Sequence, residues 1–179
     1  EYMSSKGHCN RSFNHTNLFF FPKDGSYKPD RTRPISVSNT DNRLVANVVR
    51  HVITPFIQKL ISPTQKAFSR DSSIEEPILF FNEKFYNSLN NDEQYYIFFH
   101  DFSQAYDSVS RSYLLNLLRK IGLPDQIITM IEVLFFQNRA VPILNGKHKV
   151  HIDMTNGLKQ GCPLSPILFN LALDPLISS

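Results

Sequence analysis

The stretch HDFSQAYDSV, His100 to Val109, constrains the fold more than any other part of the chain. An apolar run from Tyr95 to Phe99 leads straight into Asp101, and a helical pattern of leucines starts a few residues later. Gln94 to His100 is apolar on both faces, which predicts a central strand covered on both sides. An aspartate at the end of such a strand has two readings. It caps the following helix, or its oxygens, fixed by the strand, open onto a cleft and ligate a metal ion. A second stretch, NGLKQGCPLSPILFNLALDPL from Asn156 to Leu176, adds weight to the second reading. There Gly157 and Gly161 bracket Gln160, and glycines let a backbone approach a ligand closely. Ser165-Pro166 opens a helix, with Ser165 as its cap and Pro166 at its first position. Leu164, Ile167, Leu168, Leu171 and Leu176 then face a core.

Upstream, Leu18 to Phe21 reads as a strand and Ile35 to Val37 as its partner. The loop between them carries Lys23, Lys28, Arg31 and Arg33, which is either a solvated hairpin tip or a phosphate clamp. Thr40 can cap a long helix, with Asp41 in its first turn. Leu44, Val45, Val48, Val49, Val52, Ile53, Phe56, Ile57 and Leu60 give that helix one broad apolar stripe for core packing, and Pro55 kinks it. A second helix over roughly 74–89 packs through Ile78, Leu79, Phe81 and Phe85, and Asn87 to Asp92 is a polar loop. Leu114 to Ile121 is a helix closed by Gly122 and Pro124, and another runs near Asp125 to Phe136. Asn145-Gly146 between Val141–Leu144 and Lys147–Met154 is a strong hairpin signal, with Val150, Ile152 and Met154 on one face.

The 179 residues suit one domain, or most of one. A net charge of +3 permits a nucleic-acid partner without requiring one. Cys9 and Cys162 lack metal-ligand spacing and exclude a disulfide framework, in keeping with a reducing compartment. No apolar run reaches membrane-spanning length, and no secretory signal pattern opens the chain. Starting on Glu1 and stopping just after a helix, it reads as a piece of a longer protein.

Taken together, the two stretches resemble the palm of reverse transcriptases, most closely those of LINE-type (non-LTR) retrotransposons. Asp101 to Asp107 (aspartate, apolar residue, two variable residues, Ala-aromatic-Asp) is similar to that family's motif A, and GLKQGCPLSPILFN to its motif B. Phe-Pro-Lys at 21–23 and Arg-Pro-Ile-Ser at 33–36 are similar to the family's fingers hairpin. The aromatic-x-Asp-Asp of motif C has no counterpart in these residues. The resemblance implies an α+β fold, right-hand polymerase fingers plus an incomplete palm. Residues 1–94 would be fingers, and 95–179 a partial palm with motifs A and B and an inserted hairpin.

It also implies an RNA-directed DNA polymerase that uses an RNA template, a DNA primer and deoxynucleotide triphosphates, with no membrane partner. Two Mg2+ ions, about 3.5–4 Å apart, would activate the primer hydroxyl and stabilise the leaving pyrophosphate, the second site being incomplete here. By resemblance Asp101 is the catalytic carboxylate and, with the Phe102 carbonyl, the metal ligand. Lys23 and Arg33 would hold the triphosphate, and Gln160 and Gly161 would lie at the template–nucleotide pair. Tyr106 would stack under the sugar and exclude a 2′-hydroxyl. From the residues alone, Tyr106 is a core aromatic and 156–161 a glycine-flanked turn. Asp107 reads as structural, a cap or an ion-pair partner. Lys159 stands where relatives have arginine and Gln104 where many have lysine; both are tolerable. Gln65 to Leu79 departs more, with Ala67 in place of a glycine, which bears on template grip. The alternative is a nucleic-acid-binding module of the same shape that does not catalyse, or a degenerate retroelement relic.

Overall fold

A computed structural model describes residues 12–25, 28, 31–68, 73, 75–91, 94, 96–135, 138–148 and 150–178. The expected amino-terminal hairpin is there: β1, His15–Pro22, pairs antiparallel with β2, Thr32–Ser38, in the register Phe19↔Ile35 and Phe21↔Arg33. β2 lies at the sheet edge, where Pro34 removes no needed ladder bond. Helix α1, Thr40–Ile57, follows at once; its N-cap is Asn39, one residue before the expected Thr40, and Pro55 sits inside it, two residues from its end.

Helices α2 (Glu75–Asn91), α3 (Arg111–Lys120) and α4 (Asp125–Phe135) lead to strand β3, Asn138–Leu144. β3 lies parallel to β1, with Asn17 opposite Val141. It turns at Asn145-Gly146 into β4, Lys147–His148, and pairs again with β5, Ile152–Met154. The sheet order is β2-β1-β3-β4, with β5 also on β3. Helix α5, Ser165–Ile177, closes the described chain.

The core lies among the helices. Ala46, Val49, Ile53 and Ile57 of α1 meet Leu114 and Leu118 of α3, Ile131 and Leu134 of α4, and Leu168 and Leu171 of α5. Full burial of each such Leu or Ile contributes about 1.5–3 kcal/mol. A buried polar chain ties the hairpin to this core. Asn42 Nδ2 donates to Asn14 Oδ1 at 2.9 Å, and Asn14 Nδ2 donates to the Val133 carbonyl at 2.7 Å. The start of β1 therefore has a fixed place beside α1 and α4.

Several expectations need correction. Residues 96–100 form no strand; they are exposed and pair with no strand among the described residues. A central strand needs neighbours on both edges, and no strand among the described residues lies beside this run. Helix α2 buries none of its residues, so Ile78, Leu79, Phe81 and Phe85 stay exposed, and the helix continues to Asn91 where a polar loop was expected. The stripe of α1 splits into two rows: Val49, Ile53 and Ile57 are buried, while Leu44, Val48, Val52 and Phe56 face out. Leu60 and Leu176 are also exposed, as are Val150 and Ile152. Periodicity identifies faces that can be buried, but burial also needs a partner. Ser165 is the first helical residue and not the cap; its hydroxyl donates instead to the Lys159 carbonyl at 2.8 Å.

Candidate functional site

The stretch from Asn156 to Ser165 crosses from β5 to α5 and is fastened on several sides. The Leu158 amide donates to the Tyr106 carbonyl at 2.8 Å, and the Gly157 amide to the Val109 carbonyl at 3.1 Å. Gly157, at φ 74°, has no room for a side chain: a Cβ would stand 2.8 Å from Asp107 Cα and from its carbonyl oxygen. On the other side the Ser36 amide of β2 donates to the Gln160 carbonyl at 2.7 Å. Gly161, at φ 105°, would place a Cβ 2.7 Å from the Ser36 carbonyl oxygen. These two glycines are therefore where the stretch is pressed against the Asp101–Val109 segment and against β2. Beneath it Lys159 is fully buried; its Nζ donates to Asn138 Oδ1 at 2.8 Å and lies 5.7 Å from the Phe135 ring centroid. Lys159 thus anchors the turn internally.

The result is a cavity of roughly 610 Å3 whose lining includes Tyr106, Gln160, Gly161, Arg43 and Asn47. The half-buried Tyr106 ring packs 5.0 Å from the Phe169 centroid, and burial pushes its phenol pKa up. Gln160 Nε2 donates to Asp107 Oδ2 at 3.3 Å. Partial burial raises the Asp107 carboxyl, and that hydrogen bond draws it partly back. A second cavity, of roughly 260 Å3, shares Pro163 and Pro166 with the first and carries Arg50, His51, Thr54 and Phe68. Both cavities thus open along one polar face of α1, and neither Arg43 nor Arg50 is in an ion pair among the described residues.

Of the residues singled out from the sequence, Tyr106, Gln160 and Gly161 come together in this cavity. Arg33 lies on β2, two residues from Ile35, whose Cγ2 is 3.6 Å from the Cβ position of Gly161. Alternation puts Arg33 and Ile35 on the same face, roughly 7 Å apart along the strand. Lys23 follows β1, its amide donating to the Arg31 carbonyl at 2.9 Å. Arg31 is neutralised by Asp24 at 2.6 Å, whereas Lys23 and Arg33 form no ion pair among the described residues. Asp101 and Phe102 are exposed at the end of the unpaired segment and do not line the cavity.

Among the described residues no three His, Cys, Asp or Glu side chains gather to hold a metal ion. One carboxylate does not hold two hard cations, so these residues do not by themselves fit a two-ion site. Sequence reasoning missed Arg43 and Asn47, whose signal is their place off the apolar stripe of α1, and the link from Asp107 to Gln160.

The chain just after α1, through Ala67, is docked on α5. Ser62 N donates to Asp174 Oδ1 at 2.8 Å, Gln65 Nε2 to the Asn170 carbonyl at 3.2 Å, and Asn170 Nδ2 to the Ala67 carbonyl at 2.5 Å. The positive φ falls on Phe68, at 57°, and not on Ala67.

Comparison with known proteins identifies the family of the chain. The family model described as reverse transcriptase (RNA-dependent DNA polymerase) matches residues 21–179. The retrovirus-related Pol polyprotein from type-1 retrotransposable element R2 of Popillia japonica is 26% identical over 178 residues, covering 97% of this chain and 24% of that protein. The polyprotein from type-2 retrotransposable element R2DM of Drosophila melanogaster is 28% identical over 165 residues, covering 88% of this chain and 15% of that protein. The chain therefore spans less than a quarter of the length of these relatives. Its fold is similar to apo telomerase from Candida tropicalis truncated from its C-terminal domain, with a TM-score of 0.60 at 14% identity over 96% of this chain and 40% of that one. No helix among the described residues is long and apolar enough to cross a membrane. The chain belongs to the reverse transcriptase (RNA-dependent DNA polymerase) family, as a domain of the LINE-type retrotransposon kind.

Proposed function

We propose that this chain is the fingers and part of the palm of an RNA-directed DNA polymerase, which adds deoxynucleotides to a primer 3′-hydroxyl against an RNA template. The observation that carries the reading is the meeting of Tyr106, Gln160 and Gly161 on one cavity beside β2. In this reading the cavity seats the template–nucleotide pair. The Tyr106 ring lies under the sugar, where a 2′-hydroxyl would be buried without a partner, at a cost of about 1–3 kcal/mol. Gln160, oriented by Asp107, faces the pair, and Gly161 leaves its backbone open to it. Arg33 and Lys23 hold the triphosphate from the fingers side, and the polar face of α1, with Arg43 and Arg50, follows the template backbone.

Magnesium enters the proposal through Asp101 and the Phe102 carbonyl, the remaining ligands lying outside these residues. When bound, the metal would lower the cost of charge developing on the primer oxygen and the leaving group. The 179 residues alone are expected to give no primer extension; measurable dNTP incorporation by this chain would contradict that. In a longer protein that carries the chain and a complete polymerase, Asp101→Ala should abolish extension while template binding stays within about twofold. Extension at the parent rate would remove Asp101 from the reaction.

A further inference from the structure

Arg111 is the first residue of α3 and is buried, and it stands in the wrong place for a residue serving helix stability alone. A cation at a helix N-terminus faces the positive end of the helix dipole. Burial without a carboxylate adds a desolvation cost; none of the ion pairs among the described residues includes Arg111. Burial lowers its pKa to about 10, the direction expected of an uncompensated cation.

What Arg111 does hold is specific. Its guanidinium donates to three carbonyls in one short stretch: Nη1 to Met154 at 2.7 Å, Nη2 to Asn156 at 3.1 Å and Nε to Gly157 at 2.9 Å. Its amide also donates to Asn156 Oδ1 at 3.3 Å. This stretch runs directly into Gln160-Gly161, and the Gly157 and Leu158 amides bond back to Val109 and Tyr106. The fork of Arg111 thus closes a loop of contacts joining the segment that carries Tyr106 to the segment that carries Gln160. The planar guanidinium reaches three acceptors at once, which a lysine ammonium at the same place would not match.

We infer that Arg111 is a positioning residue that holds the Gln160–Gly161 turn in register with Tyr106. It touches neither cavity and acts through the carbonyls of Met154, Asn156 and Gly157. That the register serves nucleotide selection rests on the proposed function; that Arg111 sets it does not.

Cys162, buried beside Gly161 and lining the cavity, reports on the turn. In a Cys9→Ala background of this chain, Arg111→Met and Arg111→Lys are compared with the parent by the rate of Cys162 labelling with a thiol reagent. Amide exchange at Leu118 and Leu134 measures global opening in the same samples. The expected result is that labelling in both variants rises about tenfold more than global opening does, with lysine failing to rescue. Labelling that rises only in step with global opening, or full rescue by lysine, overturns the inference. A second measurement separates this from the proposed function. In a complete polymerase carrying the chain, the KM for deoxynucleotide should rise about tenfold with kcat changed less. A loosened turn with unchanged KM would leave Arg111 as the positioning residue and overturn the assignment of the cavity to the nucleotide.

Discussion

Gly161 shows how much a missing side chain can determine. Gly161→Ala sets a methyl 2.7 Å from the Ser36 carbonyl oxygen at a φ of 105°, so either β2 or the turn must move. The expected loss is about 1–3 kcal/mol of stability, read by urea unfolding, together with a faster-labelling Cys162. Asp107 gives a pH-dependent outcome. Its folded pKa lies above the ordinary value, so its contribution to stability is full below that value and is lost as pH rises through the folded pKa. Asp107→Asn should therefore flatten the fall in stability above pH ~4, with an effect below about 1 kcal/mol because the residue is exposed. A parallel shift at all pH values would contradict it. At this scale the sequence located Gly157, Gln160 and Gly161 but could not say what they press against. The contacts of both glycines lie far off in the chain, at Asp107 and Ser36. Lys159 shows the same limit: read only as a tolerable replacement for arginine, it is fully buried.

At the scale of elements, α1 contains its own control. Ile53 is buried and Val52, beside it, is exposed. Ile53→Ala should cost about 2–5 kcal/mol, and Val52→Ala should stay within about 0.5 kcal/mol; equal effects in denaturant unfolding would mean that the two rows pack alike. The helices were legible because a 3.6-residue period and capping chemistry are local. The hairpin at Asn145-Gly146 was legible because its turn chemistry is local too. The strand expected at Gln94–His100 was not observed because a strand is completed by neighbours, and the described residues supply none there. Helix α2 repeats the lesson: its apolar residues are in place and none of them is buried.

Across the whole molecule, the sheet joins β1 near the start of the chain to β3 well past its middle, and the buried Asn14 and Asn42 lock that sheet onto the helical core. This arrangement brings β2 to the Gln160–Gly161 turn, where the Ser36 amide holds the Gln160 carbonyl behind the cavity lining. Family motifs signalled the meeting of Tyr106 and Gln160 in advance; nothing local in either motif could show that Ser36 would hold the turn. The central claim is that this cavity holds a deoxynucleotide with its sugar over Tyr106. Its most direct test is sugar selection during primer extension by a complete polymerase carrying this chain, with Tyr106→Ala beside the parent. The account predicts that ribonucleotide use relative to deoxynucleotide use rises by about tenfold or more, while an unchanged ratio would contradict it.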